Sequence, residues 1–168
     1  MPTLMRMDPL ALDPGAVRVA VGVPAQIQPD PRRQNLKLSI TRSDGLRRDL
    51  VLHLRPTSDS PPTSEAENRF HVFGLDSRAI DVARNLQDEL RRAKAAGVRG
   101  HVTWKVDGAA CATTPLPAGP VRFDLFLRAR EGGEWIYALA NADARAMLDP
   151  GEKLEDYIST CGSAAEPR

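Results

Sequence analysis

The two cysteines are the residues whose type and position most directly suggest chemistry. Cys111 lies in the stretch Gly-Ala-Ala-Cys-Ala-Thr-Thr, and Cys161 lies near the end of the chain in Ser-Thr-Cys-Gly. A free cysteine usually behaves as a small hydrophobic residue, but the small and polar neighbours of both cysteines are not typical of a core. An even number of cysteines with no other role indicates a disulfide in an oxidising compartment. We therefore predict a structural disulfide between Cys111 and Cys161.

The three histidines show no metal-ligand spacing. His53, His71 and His101 fall in separate predicted strands, and none has a second ligand at the intervals that zinc sites use. We interpret them as ordinary strand histidines. The sequence predicts no metal site and no bound cofactor.

The sequence carries none of the common catalytic motifs. It contains no G-x-S-x-G nucleophile elbow, no P-loop, no dinucleotide-binding glycine motif and no H-E-x-x-H. Distant residues can still assemble a site, and the dispersed alternative combines His101 and Thr103 with Arg122, Asp124 and Arg128. The sequence leaves open whether the protein is an enzyme and favours a protein without catalytic residues.

Composition and charge restrict the class of partner. The 168 residues fit one domain over 1–168, and 42% hydrophobic with 27% charged residues is ordinary for a globular protein. A net charge of +1 with no basic stripe argues against a nucleic-acid interface. The expected partner is therefore another protein or a small ligand.

The beginning of the chain bears on location. The first residues lack the layout of a signal peptide, and no apolar run reaches the ~18 residues of a membrane-spanning helix. Taken alone, these features predict a cytoplasmic protein. An export signal or a lipid anchor upstream of Met1 would instead give an envelope protein, and the cysteine pair favours the periplasm or cell envelope.

Alternation with a period of two residues is the strongest structural signal. It recurs in the runs 17–23, 36–41, 50–54, 98–106 and 121–127. Such alternation is typical of antiparallel strands with one buried and one solvated face. By the same parity we interpret Trp104, Trp135 and Tyr137 as core residues rather than as a ligand platform.

Two short turn sequences predict tight hairpins. Asp44-Gly45 separates two alternating runs and is a preferred pair for a two-residue turn, in which both residues have positive φ. Gly132-Gly133 separates two later alternating runs in the same way. The sequence therefore predicts a hairpin at each position.

One long segment breaks the strand pattern. Residues 77–96 place apolar side chains at helical spacing, begin after a capping residue and end before Gly97. The predicted inner positions are Ala79, Val82, Leu86 and Leu90, and the predicted outer positions include Arg84 and Asp88.

Three further segments are predicted near the ends and the middle of the chain. Residues 150–158 follow a capping pattern and predict a short C-terminal helix. Residues 1–15 are expected to form an extended N-terminal segment. The proline-rich residues 56–67, which contain no large apolar side chain, are expected to form a mobile loop.

These features predict a mainly β fold. We expect an antiparallel β-sandwich of about seven strands with one long inserted helix and a short C-terminal helix, or alternatively an α+β fold with the long helix as a crossover. No motif covers enough of the chain to indicate a family, although the layout is similar in kind to small bacterial envelope proteins and lipoproteins. The favoured function is a non-catalytic binding or scaffold domain of the bacterial cell envelope. The alternatives are a hydrolase or other enzyme with a dispersed site and a cytoplasmic interaction domain.

Overall fold

The computed structural model describes residues 8–63 and 67–162. Its regular elements are a 3-10 turn at Pro9–Ala11, strands β1 (Arg18–Val23), β2 (Ile27–Arg42), β3 (Arg47–Pro56) and β4 (Arg69–Leu75), helix α1 (Ser77–Ala95), strands β5 (Gly100–Ala112), β6 (Arg122–Arg128) and β7 (Ile136–Asp143), 3-10 turns at Arg145–Met147 and Leu154–Asp156, and strand β8 (Ile158–Thr160).

The eight strands form one curled sheet in the order β7-β6-β1-β4-β3-β2-β5-β8. Neighbouring strands are antiparallel, except that β8 runs parallel to β5. The mainly β class with one long helix is confirmed. The prediction of two packed sheets differs from the structure, because hydrogen bonds join all the described strands in a single sheet.

The length and the bend of β2 explain why the sheet curls. This strand pairs with β5 at both of its ends, and the pairing shifts register between Pro29 and Gln34. Two prolines lie in this region and cannot donate ladder hydrogen bonds. The buried Gln34 side chain spans the bend and donates to the Asp30 and Ala109 carbonyl oxygens, at 2.9 and 2.8 Å. The irregular pairing bends the strand, as bulges do.

The core lies between the concave face of the sheet and α1. The alternating residues of β1, β2 and β3 turn inward, and Leu36, Leu38 and Leu52 are almost fully buried. Trp104 is also buried in this cluster, as its parity predicted. Burial of one face of each strand is what the period-two alternation predicted.

Helix α1 confirms the segment predicted at 77–96. The Asp76 carboxylate caps it by accepting a hydrogen bond from the Ala79 N–H at 2.8 Å, and Gly97 follows its end with φ 78°. Of the four predicted inner positions, Ala79 and Leu86 are buried, while Val82 and Leu90 are half-buried against the core. The two predicted outer positions are exposed.

A buried glutamine on α1 positions the N-terminal segment. Gln87 donates to the carbonyl oxygens of Pro9 and Leu12, at 2.9 and 2.7 Å. This contact places Leu12 in the core beside a 3-10 turn. The prediction of an extended segment over 1–15 therefore differs from the structure in its described part, because a 3-10 turn at Pro9–Ala11 packs against the helix there. Residues 1–7 lie outside the described residues.

Both predicted hairpins are present, but the first has a different loop. Gly45 has φ 90°, whereas Asp44 has no positive φ, so the backbone cannot form the predicted two-residue turn. Ser43, Asp44 and Gly45 instead form a three-residue loop, closed by the Arg42 N–H donating to the Leu46 carbonyl oxygen at 2.9 Å. The second hairpin joins β6 and β7 through Gly132, which has φ 67°.

The helix predicted over 150–158 is wrong. Half of the expected cap forms, because the Asp149 N–H donates to the Glu152 carboxylate at 2.9 Å. Gly151, however, has φ 90° and turns the backbone away from a helical path. Only one 3-10 turn follows, and the chain then extends as β8 along the edge of β5.

The segment predicted as a mobile loop runs from the end of β3 toward β4. Of the predicted residues 56–67, Pro56 belongs to β3, residues 57–63 and Glu67 contain no helix or strand, and residues 64–66 lie outside the described residues. The Thr57 N–H donates to the Val72 carbonyl oxygen at 2.9 Å. We call residues 57–63 the β3–β4 loop. Its mobility stays a prediction.

Candidate binding site

The disulfide predicted from the sequence is present in the structure. The Sγ atoms of Cys111 and Cys161 are 2.01 Å apart and their α-carbons 4.9 Å apart. Cys111 lies on β5, and Cys161 directly follows β8, whose residues pair with the end of β5. The Cys161 N–H also donates to the Ala112 carbonyl oxygen at 2.9 Å. The covalent bond therefore fixes the last strand to the edge of the sheet.

The structure does not bring the residues of the dispersed catalytic alternative together. His101 and Thr103 lie on β5, whereas Arg122, Asp124 and Arg128 lie on β6, and four strands separate β5 from β6 in the sheet. The β6 residues do not face the β5 residues as the prediction required. The dispersed group is therefore not one site.

Asp124 has a structural role at its own position. It is buried and accepts hydrogen bonds from the Asn68 side chain at 2.9 Å and from the Asn141 N–H at 2.7 Å. Asn141 has φ 49°, and the pairing of β6 with β7 is irregular in this region. The carboxylate thus satisfies backbone and side-chain donors where the regular ladder is interrupted.

The histidines lie in three different environments. His53 contacts the Asp76 carboxylate through Nδ1 at 3.0 Å, His101 is exposed, and His71 lies on β4. Within residues 8–63 and 67–162, no group of three or more His, Cys, Asp or Glu side chains could hold a metal ion. In the same part of the chain, no helix is both long and apolar enough to cross a membrane.

A cleft of about 480 Å³ opens where β3 stops pairing with β4. The pairing of these strands ends at Pro56 and Phe73, and beyond that point the bent start of β2 lies opposite β4. The walls are residues from the start of β2, from the β3–β4 loop and from the first half of β4. The cleft is therefore a consequence of the bend in β2.

His71 is the ionisable ring in the lining of this cleft. Its Nε2 atom is buried and has no hydrogen-bond partner among the described residues. Burial lowers the pKa of His71, and the positive charge of Arg69 lowers it further. The imidazole is therefore neutral at pH 7. No described hydroxyl is hydrogen-bonded to this ring, so the cleft has no paired nucleophile and base.

Beside the cleft, two arginines share one carboxylate on the convex face of the sheet. Arg18 of β1 and Arg128 of β6 are directly opposite each other in the register. Asp59, in the β3–β4 loop and in the lining of the cleft, accepts hydrogen bonds from Arg18 Nε and from Arg128 Nη2, the latter at 3.2 Å. We call Arg18, Arg128 and Asp59 the arginine cluster.

An aromatic layer continues from this cluster along the same face. Phe126 lies between Tyr137, with ring centroids 4.1 Å apart, and Phe70, with ring centroids 5.6 Å apart. Trp135 lies under the Arg128 guanidinium, 5.1 Å from ring centroid to Cζ. Trp135 is half-buried and Tyr137 is 53% exposed. The parity argument was therefore wrong for Tyr137, because shifts in the β6–β7 register change the face that β7 presents.

Comparison of the chain with family models, curated proteins and solved structures found no match.

The lining of the cleft is of mixed chemical character. The lining combines proline and phenylalanine side chains with a few polar groups, the usual composition of a ligand site. Sequence reasoning missed Arg18 and Asp59. Arg18 meets Arg128 only through the pairing of β1 with β6, and Asp59 reaches both arginines from the β3–β4 loop. Gly74 lies directly opposite Arg18 on the neighbouring strand β4, and the sequence alone does not indicate this pairing.

Two glycines make room for this arrangement. A Cβ atom at Gly22 would lie 2.7 Å from Phe70 Cε1, and one at Gly74 would lie 2.9 Å from Arg18 Nη1. Such distances are shorter than non-bonded contacts allow. The Phe70 ring and the Arg18 guanidinium can therefore lie flat on the sheet only because these positions lack side chains.

We expect Gly22→Ala to lower the free energy of unfolding by about 1 to 3 kcal/mol, because the added methyl group must displace the Phe70 ring. Gly119→Ala is the matched control, since nothing lies within 4 Å of a Cβ atom there and both variants lose the same backbone freedom in the unfolded chain. Urea unfolding of the two variants measures the difference. Equal stabilities would contradict the close approach of Phe70 to β1.

Asp59 should make stability depend on acid pH. The hydrogen bond from Arg18 lowers its pKa, partly opposed by burial, and the charges of Arg18 and Arg128 lower it further. A carboxylate with a lowered folded-state pKa stabilises the fold above its unfolded pKa, and this contribution is lost as the pH falls through the folded-state value. We therefore expect Asp59→Asn to lose less stability than the wild type on acidification below the ordinary aspartate range. Parallel unfolding curves for the two proteins across that range would refute the expectation.

Proposed function

We propose that this chain is a non-catalytic binding or scaffold domain of the bacterial cell envelope, with the cleft between β2 and β4 as its ligand site. The observation that carries the proposal is the bond between Cys111 and Cys161. Disulfides persist in oxidising compartments and are rare in the cytosol, where thiols are kept reduced. A protein that depends on this bond works outside the cytosol.

The position of the disulfide supports such a dependence. Strand β8 has three residues, and Ile158 is its only residue that is not exposed. A strand this short buries too little apolar surface to offset the cost of ordering its backbone. The covalent bond supplies the missing restraint, which is a role that a reduced cysteine pair cannot fill.

The cleft supports binding rather than catalysis. Its volume lies in the range of small-ligand pockets. Its histidine is neutral and has no hydroxyl or carboxylate partner, so the pairing that activates a nucleophile is missing from the described lining. The hydrolase alternative loses its residue set, since His101 and Thr103 lie four strands away from β6.

Cell fractionation tests the proposed location. The gene would be expressed in its own organism from its own upstream sequence with a C-terminal tag, beside one cytosolic and one periplasmic marker protein. We expect the tagged protein in the envelope or periplasmic fraction. Recovery with the cytosolic marker would contradict the proposal and favour the cytoplasmic interaction domain.

A further inference from the structure

We propose that Arg18 and Arg128 form a binding site for the carboxylate group of a ligand, and that Asp59 occupies this site until the ligand displaces it. The inference rests on the proposed binding function and names the chemical class of ligand. Its basis is the geometry and the charge of the convex face beside the cleft.

The arginine cluster carries two positive charges and one carboxylate. The neighbouring strands β3, β4, β1 and β6 pair so that one register level holds, in this order, Arg55, Gly74, Arg18 and Arg128. Three of these positions carry a guanidinium group, and among the described residues Asp59 is the carboxylate within ion-pair distance of two of them. Arg55 forms no ion pair within the described part of the chain. Two guanidinium groups therefore share one carboxylate, and the charge of Arg55, two strands from Arg18, has no partner of its own there.

Arg128 has a hydrogen-bond donor that Asp59 does not use. The Nε atom of Arg128 is buried and has no hydrogen-bond partner among the described residues. Leaving a buried donor unsatisfied is costly, and in a structural ion pair the fork of the guanidinium usually meets the carboxylate with two donors. Asp59 meets Arg128 through Nη2 alone. A ligand carboxylate placed over Arg128 can satisfy donors that Asp59 leaves unused.

Contacts on the sheet preorganise the two arginines. Arg128 stacks on Trp135, and Arg18 lies across Gly74 while donating to the Val17 carbonyl oxygen at 2.9 Å. Their side chains are only 16% and 20% exposed. Because these contacts hold the arginines in addition to Asp59, we expect them to stay in place when the aspartate leaves.

Asp59 lies at the boundary between the arginine cluster and the cleft. It lies in a loop without regular structure and belongs to both the arginine cluster and the lining of the cleft. An exchange of its carboxylate for that of a ligand needs movement of the loop and leaves the paired strands unchanged. A ligand in the cleft would thus bring its own carboxylate to the arginines at the rim.

Titration with succinate, followed by the Nε–Hε resonances of the arginines, tests the proposal. Asp59→Asn removes the competing charge and keeps the side-chain shape, so the fraction of protein with a vacant site rises. We expect succinate to shift the Arg18 and Arg128 resonances of this variant with saturation, and at about a tenfold lower concentration than in the wild type. Succinamide, the uncharged analogue, should leave them unchanged at the same ionic strength.

Two controls complete the experiment. Asp88→Asn removes a carboxylate from an exposed ion pair with Arg91 and should titrate like the wild type. Arg128→Gln in the Asp59→Asn background should abolish the saturable shift of the Arg18 resonance by succinate. If Asp59→Asn does not fold, titration of the wild type alone tests the carboxylate site. Succinate must then shift the Arg18 and Arg128 resonances at lower concentrations than it shifts the Arg91 resonance.

Equal titration of the wild type and Asp59→Asn, or equal shifts at Arg91, would overturn the carboxylate site. Such a result leaves the fractionation test unaffected, since the location of the protein does not depend on Asp59. Conversely, a cytosolic protein that binds succinate at Arg18 and Arg128 would retain this site and refute only the envelope role.

Discussion

Replacing both cysteines by alanine is expected to lower the free energy of unfolding by about 4 kcal/mol. The bond joins Cys111 to Cys161 over a sequence separation of 50 residues, and closing a loop of that size removes much conformational freedom from the unfolded chain. Such a loss is a large share of the 5 to 15 kcal/mol that is usual for a domain. Urea unfolding of the oxidised wild type and of the double variant measures it, and the double variant avoids an unpaired thiol.

The same variant should release the end of the chain. Without the covalent bond, β8 keeps three paired residues on β5 and little apolar burial. In the wild type, the Cys161 N–H donates to the Ala112 carbonyl oxygen. We expect the amide hydrogen at position 161 to exchange much faster in the double variant than in the wild type. Amides in the centre of β2 are the internal control. Unchanged protection at position 161 and unchanged stability would show that the disulfide is dispensable.

Leu38→Ala should lower the free energy of unfolding by about 3 kcal/mol. Leu38 is 1% exposed and lies in the centre of β2, in contact with the cluster that α1 covers. Removing its side chain leaves a cavity among residues that are fixed by two strand pairings. Thermal or urea unfolding measures the effect.

Val51→Ala is the matched control for Leu38→Ala. Val51 lies on the neighbouring strand β3, one register position from the partner of Leu38, but is 62% exposed on the opposite face. We expect its substitution to change stability by no more than about 0.5 kcal/mol. Similar losses for the two variants would contradict the assignment of the concave face to the core.

The parts of the fold that could be predicted are those set by local pattern. Alternation placed the strands and their inner faces, and the spacing of apolar residues placed α1. The C-terminal strand could not be predicted, since Gly151 breaks the helical path and β8 exists only through its pairing with β5. The joining of all described strands into one sheet could not be predicted either, because it depends on long-range pairings such as that of β2 with β5, whose register shifts between Pro29 and Gln34.

The candidate site also has one part that the local sequence predicts and one part that it does not. The cysteine pair could be predicted because only two cysteines are present and neither has core-like neighbours. The arginine cluster could not, because Arg18 and Arg128 meet through the register of β1 with β6, and Asp59 reaches them from a loop with no pattern of its own. Long-range register is the information that a single sequence does not carry in its local periodicity.

The proposed function requires that Cys111 and Cys161 be joined in the cell, outside the reducing cytosol. Rapid acid quenching of cells of its own organism, followed by alkylation of free thiols under denaturing conditions and mass spectrometry of the protein, tests it most directly. We expect no label on either cysteine before reduction and a label on both after reduction. Labelling of both cysteines without reductant, in protein taken directly from the cells, would contradict the claim.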